Sequence, residues 1–312
     1  MATTTNNTIE KIAPMFTELL VKKIECLKTD WQKPWITSLK QGLPRNIRGT
    51  VYNGGNVLML LFYTEFMKFS LPVFLTFNQA KEEEVNINKG ARSFPVYYWF
   101  KFVVHKETKK TIKYEEYRKL SATEQENYKV IPQMKYYNVF NIEQTNFAEK
   151  HPERYERMKK NEQPDNHSDG MMFDALDELV YTQNWYCPIK VKYSDSAFYV
   201  SSADYIVCPE KRQFPQGVEF YGTLLHEMAH STGSPQRLNR TFGNFFGDAL
   251  YAREELVAEL TSALCGAFFG YAAAPQDNNA AYLKHWLTKL KEEPAFLVEI
   301  LGDVNKAAKM IA

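Results

Sequence analysis

Residues 224–233 read LLHEMAHSTG, and the reading of this stretch decides the fold of the rear half. Phe220, Leu224, Leu225, Met228 and Ala229 predict an apolar helix around a polar trio, His226, Glu227 and His230. Positions four apart lie on one helix face, so both imidazoles can grip one ion. Glu227 stands beside them, within reach of a metal-bound water that it could deprotonate. Gly233 and Pro235 predict the helix end, a glycine suiting a left-handed cap and a proline breaking the next turn. An accidental match would leave two satisfied histidines in a buried helix. The apolar flanks and stop signals favour metal binding.

Two imidazoles rarely complete a zinc site, so a third ligand is required. The helix expected from Ala252 onward, AREELVAELTSALCGAFFGYAAA, offers Glu254, Glu255 and Glu259. Glu255 and Glu259 share a face, whereas Glu254 points about 100° away from Glu255. One arrangement uses the pair: Glu255 ligates, and Glu259 accepts the outer N–H of a metal-bound histidine, fixing its tautomer. Glu254 is the alternative ligand. A solvated acidic face near a helix N-terminus would carry the same charges, but Leu256, Val257, Leu260 and Leu264 predict a packed helix instead.

At 312 residues the chain has room for two ordinary domains. Residues 1–150 carry 22 Lys plus Arg against 15 Asp plus Glu, a net of +7, and residues 151–312 carry 16 against 22, a net of −6. A moderately basic front half is compatible with a polyanionic partner but does not require one. Cys26, Cys187, Cys208 and Cys265 form no CxxC pair, which disfavours a zinc ribbon or disulfide scaffold. The start, MATTTNNTIEKIAP, does not read as a secretory leader. VLMLLFY and the alanine-rich helix are too short or too interrupted to span a bilayer. A cytoplasmic protein with no membrane partner is expected.

Residues 9–28 predict an amphipathic helix with Ile12, Met15, Phe16, Leu19, Leu20 and Ile24 as its stripe. A turn-rich stretch runs from Asp30 to Gly55, followed by a helix over Asn56–Phe66. VFLTF (73–77) and FPVYYWFKFVV (94–104) predict strands, Lys106–Lys129 an excursion, and KYYNVFNIEQT a returning strand. Asn146–Ser168 reads as a linker with room for a short helix. Beyond a helix near Met171–Asn184, AFYVS and DYIVC predict adjacent strands before the two metal-site helices, and the tail predicts helices over 280–291 and 294–310. The whole is an α+β chain, with a mixed front domain and a compact hydrolase-like rear domain.

In PRNIRGTVYNGGNVL (44–58), Arg45 and Arg48 could reach phosphates, and Asn46, Asn53 and Asn56 could bind bases or brace turns. Gly49, Gly54 and Gly55 would let backbone amides approach a ligand closely. Lys89 and Arg92, flanking Gly90 and Ala91, could extend the basic track. Trp31, Trp35, Tyr52, Tyr97, Tyr98 and Trp99 supply aromatic surface of the kind that stacks single-stranded bases. Aromatic residues on a sheet are as often core, and Asn-Gly runs are usually turns.

The chain resembles the ArdC-type antirestriction proteins of conjugative plasmids and mobile elements. The matching phrases are PRNIRGTVYNGGNVLML, LTFNQA, NKGARSFPVYY and VFNIEQT in front, then SADYIVCP, YGTLLHEMAHSTGSPQRLNR, YAREELVAEL and AAYLKHWLTKL. They run in family order over most of the chain. The resemblance implies a single-stranded-DNA-binding domain at 1–150 and a zincin-like metallopeptidase domain at 151–312. It also implies His226, His230 and Glu255 as ligands of Zn2+, Glu227 as general base, and a DNA-binding role for the region from Arg45 to Asn56. Departures are Ser231 in place of a usual tryptophan, Ala91 in place of an acidic residue, and the Lys106–Lys129 stretch.

Two histidines, a glutamate and a water would leave zinc an activatable position. Tyr251, Arg240 and His285 are candidate donors to the oxyanion of a cleaved peptide. The leading expectation is therefore a zinc metallopeptidase delivered by a DNA-binding front domain, with a host restriction or mobile-element protein as its target. The competing one is a non-catalytic module that protects single-stranded DNA or binds a protein, its zinc holding helices together.

Overall fold

The aromatic run at 94–104 is half of a long antiparallel hairpin that forms the front sheet. The computed structural model describes residues 3–29, 34–36, 39, 41–160, 172–243, 249–271 and 283–312. Its front half runs α1 (Thr3–Thr29), β1 (Arg45–Asn46), α2 (Gly55–Met67), β2 (Val73–Leu75), α3 (Phe77–Glu82), β3 (Phe94–His105), β4 (Thr111–Ile112), α4 (Tyr114–Tyr117), α5 (Ala122–Gln125), β5 (Tyr128–Asn141), α6 (Phe147–Lys150) and α7 (Pro152–Lys160). The rear half follows with α8 (Asp174–Thr182), β6 (Ile189–Val191), β7 (Phe198–Val200), β8 (Tyr205–Cys208), α9 (Gly217–Thr232), α10 (Ala249–Phe269), α11 (Leu283–Glu292) and α12 (Ala295–Ile311). This is the α+β class expected.

The front sheet has the order β1-β2-β5-β3-β4, and the rear sheet β6-β8-β7. β1 and β2 are parallel, as are β6 and β8; the remaining neighbours are antiparallel. The returning strand β5 starts at Tyr128, earlier than KYYNVF implied. Pro132 reads as a strand breaker, yet β2 pairs with β5 only at Phe140 and Asn141, so at Pro132 one side of the strand lacks a strand neighbour and needs no N–H. The segment expected to be a linker forms α6 and α7 up to Lys160, and residues 161–171 lie outside those described.

One hydrophobic core spans both halves. It contains Ile12, Phe16, Leu20 and Ile24 of α1, most of α2, and the inner faces of α9, α10 and α12. α2 is apolar nearly all round, which is why it lies inside rather than on the surface, and α10 is buried along most of its length, its buried residues including Glu254, Glu255 and Glu259. Thr17 donates to the Pro294 carbonyl at 3.2 Å, and Trp286 Nε1 to the Ala252 carbonyl at 2.6 Å, closing α1, α10, α11 and α12 together. A smaller core under β2 holds Ile47, Leu71, Val73, Leu75, Ile142 and Phe147. The expected division at 1–150 and 151–312 is thus crossed by shared packing.

The Gly54–Gly55–Asn56 turn belongs to that packing, not to a ligand surface. Gly55 N–H donates to Asn305 Oδ1 of α12 at 2.5 Å, and Gly54 takes φ 56° and ψ −141°, a combination essentially confined to glycine. Asn56 is buried, its amide donating to the Tyr97 carbonyl at 2.7 Å while its Oδ1 accepts from Tyr97 N–H at 3.1 Å. The asparagine expected to bind bases therefore satisfies the open backbone edge of β3.

Candidate metal centre

α9 carries His226 and His230 on one face, and α10 crosses it with Glu255 opposite. Ser262 Oγ donates to the Gly222 carbonyl at 3.0 Å and helps hold the two helices in this register. His226 Nε2 lies 3.1 Å from His230 Nε2, and Glu255 brings its two oxygens within 3.4 Å of His226 Nε2 and 3.6 Å of His230 Nε2. Zinc bonds of about 2.0–2.1 Å at tetrahedral angles place ligand atoms roughly 3.3 Å apart. The observed triangle therefore has the edge lengths that a small divalent cation needs. All three side chains are largely buried.

Each ligand imidazole has a carboxylate behind it. Glu259 Oε1 lies 3.8 Å from His226 Nδ1, and Glu254 Oε1 lies 3.3 Å from His230 Nδ1. Among the described residues His226 Nδ1 is a buried atom without a hydrogen-bond partner, facing a carboxylate from just beyond bonding distance. Glu254, the alternative ligand, faces away from the triangle. Arg240 grips it with Nε at 2.9 Å and Nη2 at 2.6 Å, while also donating to Thr232 Oγ1 and the Ala229 carbonyl, both at 2.8 Å. An arginine committed to four such bonds is not aimed at an oxyanion. It braces the carboxylate behind His230.

The local electrostatics follow from this crowding. Burial opposes charge on Glu255, but His230 and His226 outweigh it and hold the carboxyl well below the usual carboxylate range. Burial also opposes charge on both imidazoles; for His226 the bond to Glu255, and for His230 the charge of Glu255, outweigh it and raise them. Glu227, buried beside them, is pushed up by burial, with the two histidines pulling the other way.

Tyr251 sits half-buried on the main core, its backbone so close to Gly243 that a Cβ there would come within 2.3 Å of it. The side chains of His285 and Trp31 lie outside the described residues. Gly233 ends α9 at φ −77°, which is not left-handed; a Cβ there would meet the Phe242 ring tip at 2.7 Å and the Arg240 guanidinium at 2.9 Å, so those side-chain ends would have to shift. Ser231 is fully buried and accepts from Trp185 Nε1 at 3.0 Å. Trp35, expected among stacking aromatics, is also fully buried, and its Nε1 donates to Glu259 Oε2 at 2.7 Å.

In the front half, Asn46 Oδ1 accepts from Arg48 N and Thr50 N, so it braces the 45–51 turn. Arg45 donates to the Gln41 carbonyl, and exposed Arg48 pairs with Glu82 at 2.5 Å. Asn53, Lys89 and Arg92 are exposed. Tyr52 is half-buried against Phe74, and burial, with Tyr137 nearby, raises its hydroxyl pKa. Tyr97 is buried, whereas Tyr98, Trp99 and Tyr137 are exposed. Across the hairpin Tyr98 pairs with Lys135 and Val96 with Tyr137, which puts Tyr98, Phe100, Lys135 and Tyr137 on one face. Tyr98 lies 6.1 Å from both Phe100 and Tyr137, and Lys135 Nζ sits 4.7 Å over the Phe100 ring.

The family described as the N-terminal domain of anti-restriction factor ArdC matches residues 10–140, and the zincin-like metallopeptidase family matches residues 174–300. The chain joins an ArdC N-terminal domain to a zincin-like metallopeptidase domain. Crystal structures of the antirestriction ArdC protein from plasmid R388 have the same architecture. The metal-free one matches with a TM-score of 0.67 at 26% identity and the Mn(II)-bound one with 0.66 at 27%, each over 96% of both chains. Two proteins named DNA primase TraC from Escherichia coli are 29% identical over 296 and 307 residues. The chain spans only 26% and 19% of their lengths. The protein y4eC of Sinorhizobium fredii is 25% identical over 291 residues, 89% of this chain and 83% of that one. In this ArdC-type chain, ligand atoms of His226, His230 and Glu255 all lie within 4.8 Å of one another, a group that could hold a divalent metal ion.

Proposed function

We propose that the protein is a cytoplasmic antirestriction factor of a mobile element, one that binds single-stranded DNA through its front half and cleaves a protein target at a zinc centre in its rear half. The observation that carries the peptidase reading is the three-donor triangle with Glu227 buried beside it. Three protein ligands leave a cation an open position, whereas structural zinc sites are closed by four. The Mn(II)-bound ArdC structure and the zincin-like family match support the same reading, and four free cysteines suit a reducing compartment.

A bound divalent ion would supply a more acidic water and polarise a peptide carbonyl. The chain supplies the rest. Glu227 accepts the proton of the attacking water and passes it to the leaving amine. Glu259 and Glu254 hold His226 and His230 from behind. Among the described residues β7 has β8 as its only strand neighbour, and the backbone N–H of Tyr199 on β7 bears on Glu227. An extended target segment laid along the free edge of β7 would bring its backbone to Glu227, the usual economy of strand addition.

For DNA, the supporting feature is the face of Tyr98, Phe100, Tyr137 and Lys135, aromatic rings with a cation among them, as stacking platforms require. Tyr98→Ala and Tyr137→Ala should each weaken oligonucleotide binding by about 1–3 kcal/mol, read by fluorescence anisotropy at fixed salt. Unchanged binding in both would remove this face from the proposal. Glu227→Gln should keep its metal content and hold a captured target uncleaved, while wild type cleaves it. If antirestriction survives Glu227→Gln at full strength, protection does not need catalysis, and the DNA-binding module becomes the whole function.

A further inference from the structure

The metal ligands all belong to the rear half, yet the carboxylate behind one of them is held by the front half. Trp35 follows α1, 224 positions before Glu259 in the chain, and its indole Nε1 donates to Glu259 Oε2 at 2.7 Å. Both side chains are essentially without solvent contact. The indole ring lies 6.3 Å from Phe62 of α2, another front-half residue, and both belong to the main core. Glu259's other oxygen, Oε1, faces His226 Nδ1 at 3.8 Å, and that nitrogen is buried without a hydrogen-bond partner among the described residues.

The chemistry of these three groups runs in one direction. An indole N–H can only donate, and an ionised carboxylate can only accept. With Oε2 engaged by Trp35, Glu259 is oriented to present Oε1 to the imidazole. His226 uses Nε2 toward Glu255 and His230, so its Nδ1 must carry the proton whenever Nε2 is a ligand, and Glu259 Oε1 is the carboxylate oxygen that faces it at 3.8 Å. Carboxylates in this position fix the tautomer of a ligand histidine and raise its basicity.

We infer that Trp35 is a positioning residue of the metal centre, by which the ArdC-type front half sets the affinity of the rear-half site for its cation. This rests on the reading of His226, His230 and Glu255 as a metal site, and the experiment separates the two. The Zn2+ affinity of the full chain is measured by chelator competition for wild type, His226→Ala, Trp35→Phe, Glu259→Leu and the Trp35→Phe/Glu259→Leu double variant, with circular dichroism confirming each fold. Trp35→Phe keeps most of the ring volume and removes the donor. It should bind Zn2+ about tenfold more weakly. Glu259→Leu should bind at least as poorly, and the double variant no worse than Glu259→Leu alone, because Trp35 acts through that carboxylate.

Affinity of Trp35→Phe within twofold of wild type overturns the inference, as do losses that multiply in the double variant. Where Trp35→Phe fails to fold, the indole N–H resonance of Trp35 in the wild-type protein serves instead. It should move on Zn2+ titration, and a stationary resonance overturns the inference equally. Zn2+ binding that His226→Ala leaves untouched sinks the metal-site reading and this inference with it. Tight, His226-dependent binding with an unaffected Trp35→Phe sinks the role of Trp35 alone.

Discussion

Arg240 lies within 2.9 Å of Glu254, Thr232 Oγ1 and the Ala229 carbonyl, and both it and Glu254 are almost wholly buried. Removing one partner of a buried ion pair leaves the other charge without compensation, at a cost of about 3–5 kcal/mol. Arg240→Ala should therefore lower stability by that amount in urea denaturation, before any assay of turnover. An oxyanion donor would behave oppositely, losing turnover at nearly wild-type stability, and that result would return Arg240 to the reaction centre. The same neighbourhood marks what was readable residue by residue. The spacing of His226 and His230, and of Glu255 and Glu259, is helical arithmetic, so one face of each helix could be deduced. Glu254 behind His230 was not deducible, because what it meets is set by how α10 crosses α9 and by where the 233–240 turn returns. Nor could any local pattern have told Trp35, a buried donor to Glu259, from the exposed Trp99.

Among the elements, the strong periodic segments were legible and the short ones were not. β3, α2, α9 and α10 announce themselves through aromatic runs or apolar helices. β6, only Ile189–Val191, pairs with β8 on tertiary contacts that three residues cannot signal. The Gly54–Gly55 turn is an intermediate case. Two adjacent glycines implied a close approach, which is present, but the approaching group is Asn305 of α12, 250 positions from Gly55. A Cβ at Gly54 would lie 2.1 Å from Asn305 Oδ1, on a backbone with φ 56° and ψ −141°. Gly54→Ala should cost roughly 1–3 kcal/mol through backbone strain, plus the displacement of Asn305. Adding Asn305→Ala relieves the collision and leaves the strain, so the double variant should stay below the Asn305→Ala single variant in its denaturation midpoint. Equal midpoints would mean that Gly54 does not hold this positive-φ backbone.

For the whole molecule, the charge division of the two halves was plain from composition, but their shared interior was not. The principal core draws on residues from Ile12 to Ile311, each unremarkable on its own helix face, and only their assembly makes a single interior. A ligand that binds the folded state alone stabilises it by about 2.7 kcal/mol at a hundredfold excess over its dissociation constant. At roughly 2.1 cal/mol/K of unfolding entropy per residue, a chain of this size shifts its midpoint by roughly 1.5 °C per kcal/mol, so Zn2+ should raise the unfolding temperature by roughly 4 °C. With the principal core shared by both halves, this gain should not stay in the rear half. Hydrogen exchange at rising temperature should show the β3–β5 amides and the α10 amides protected to the same higher midpoint, and Glu255→Ala should abolish the shift in both. A gain confined to α9 and α10, with the β3–β5 hairpin melting at its metal-free temperature, would mean that the packing of α1 and α2 against α10, α11 and α12 does not couple the halves.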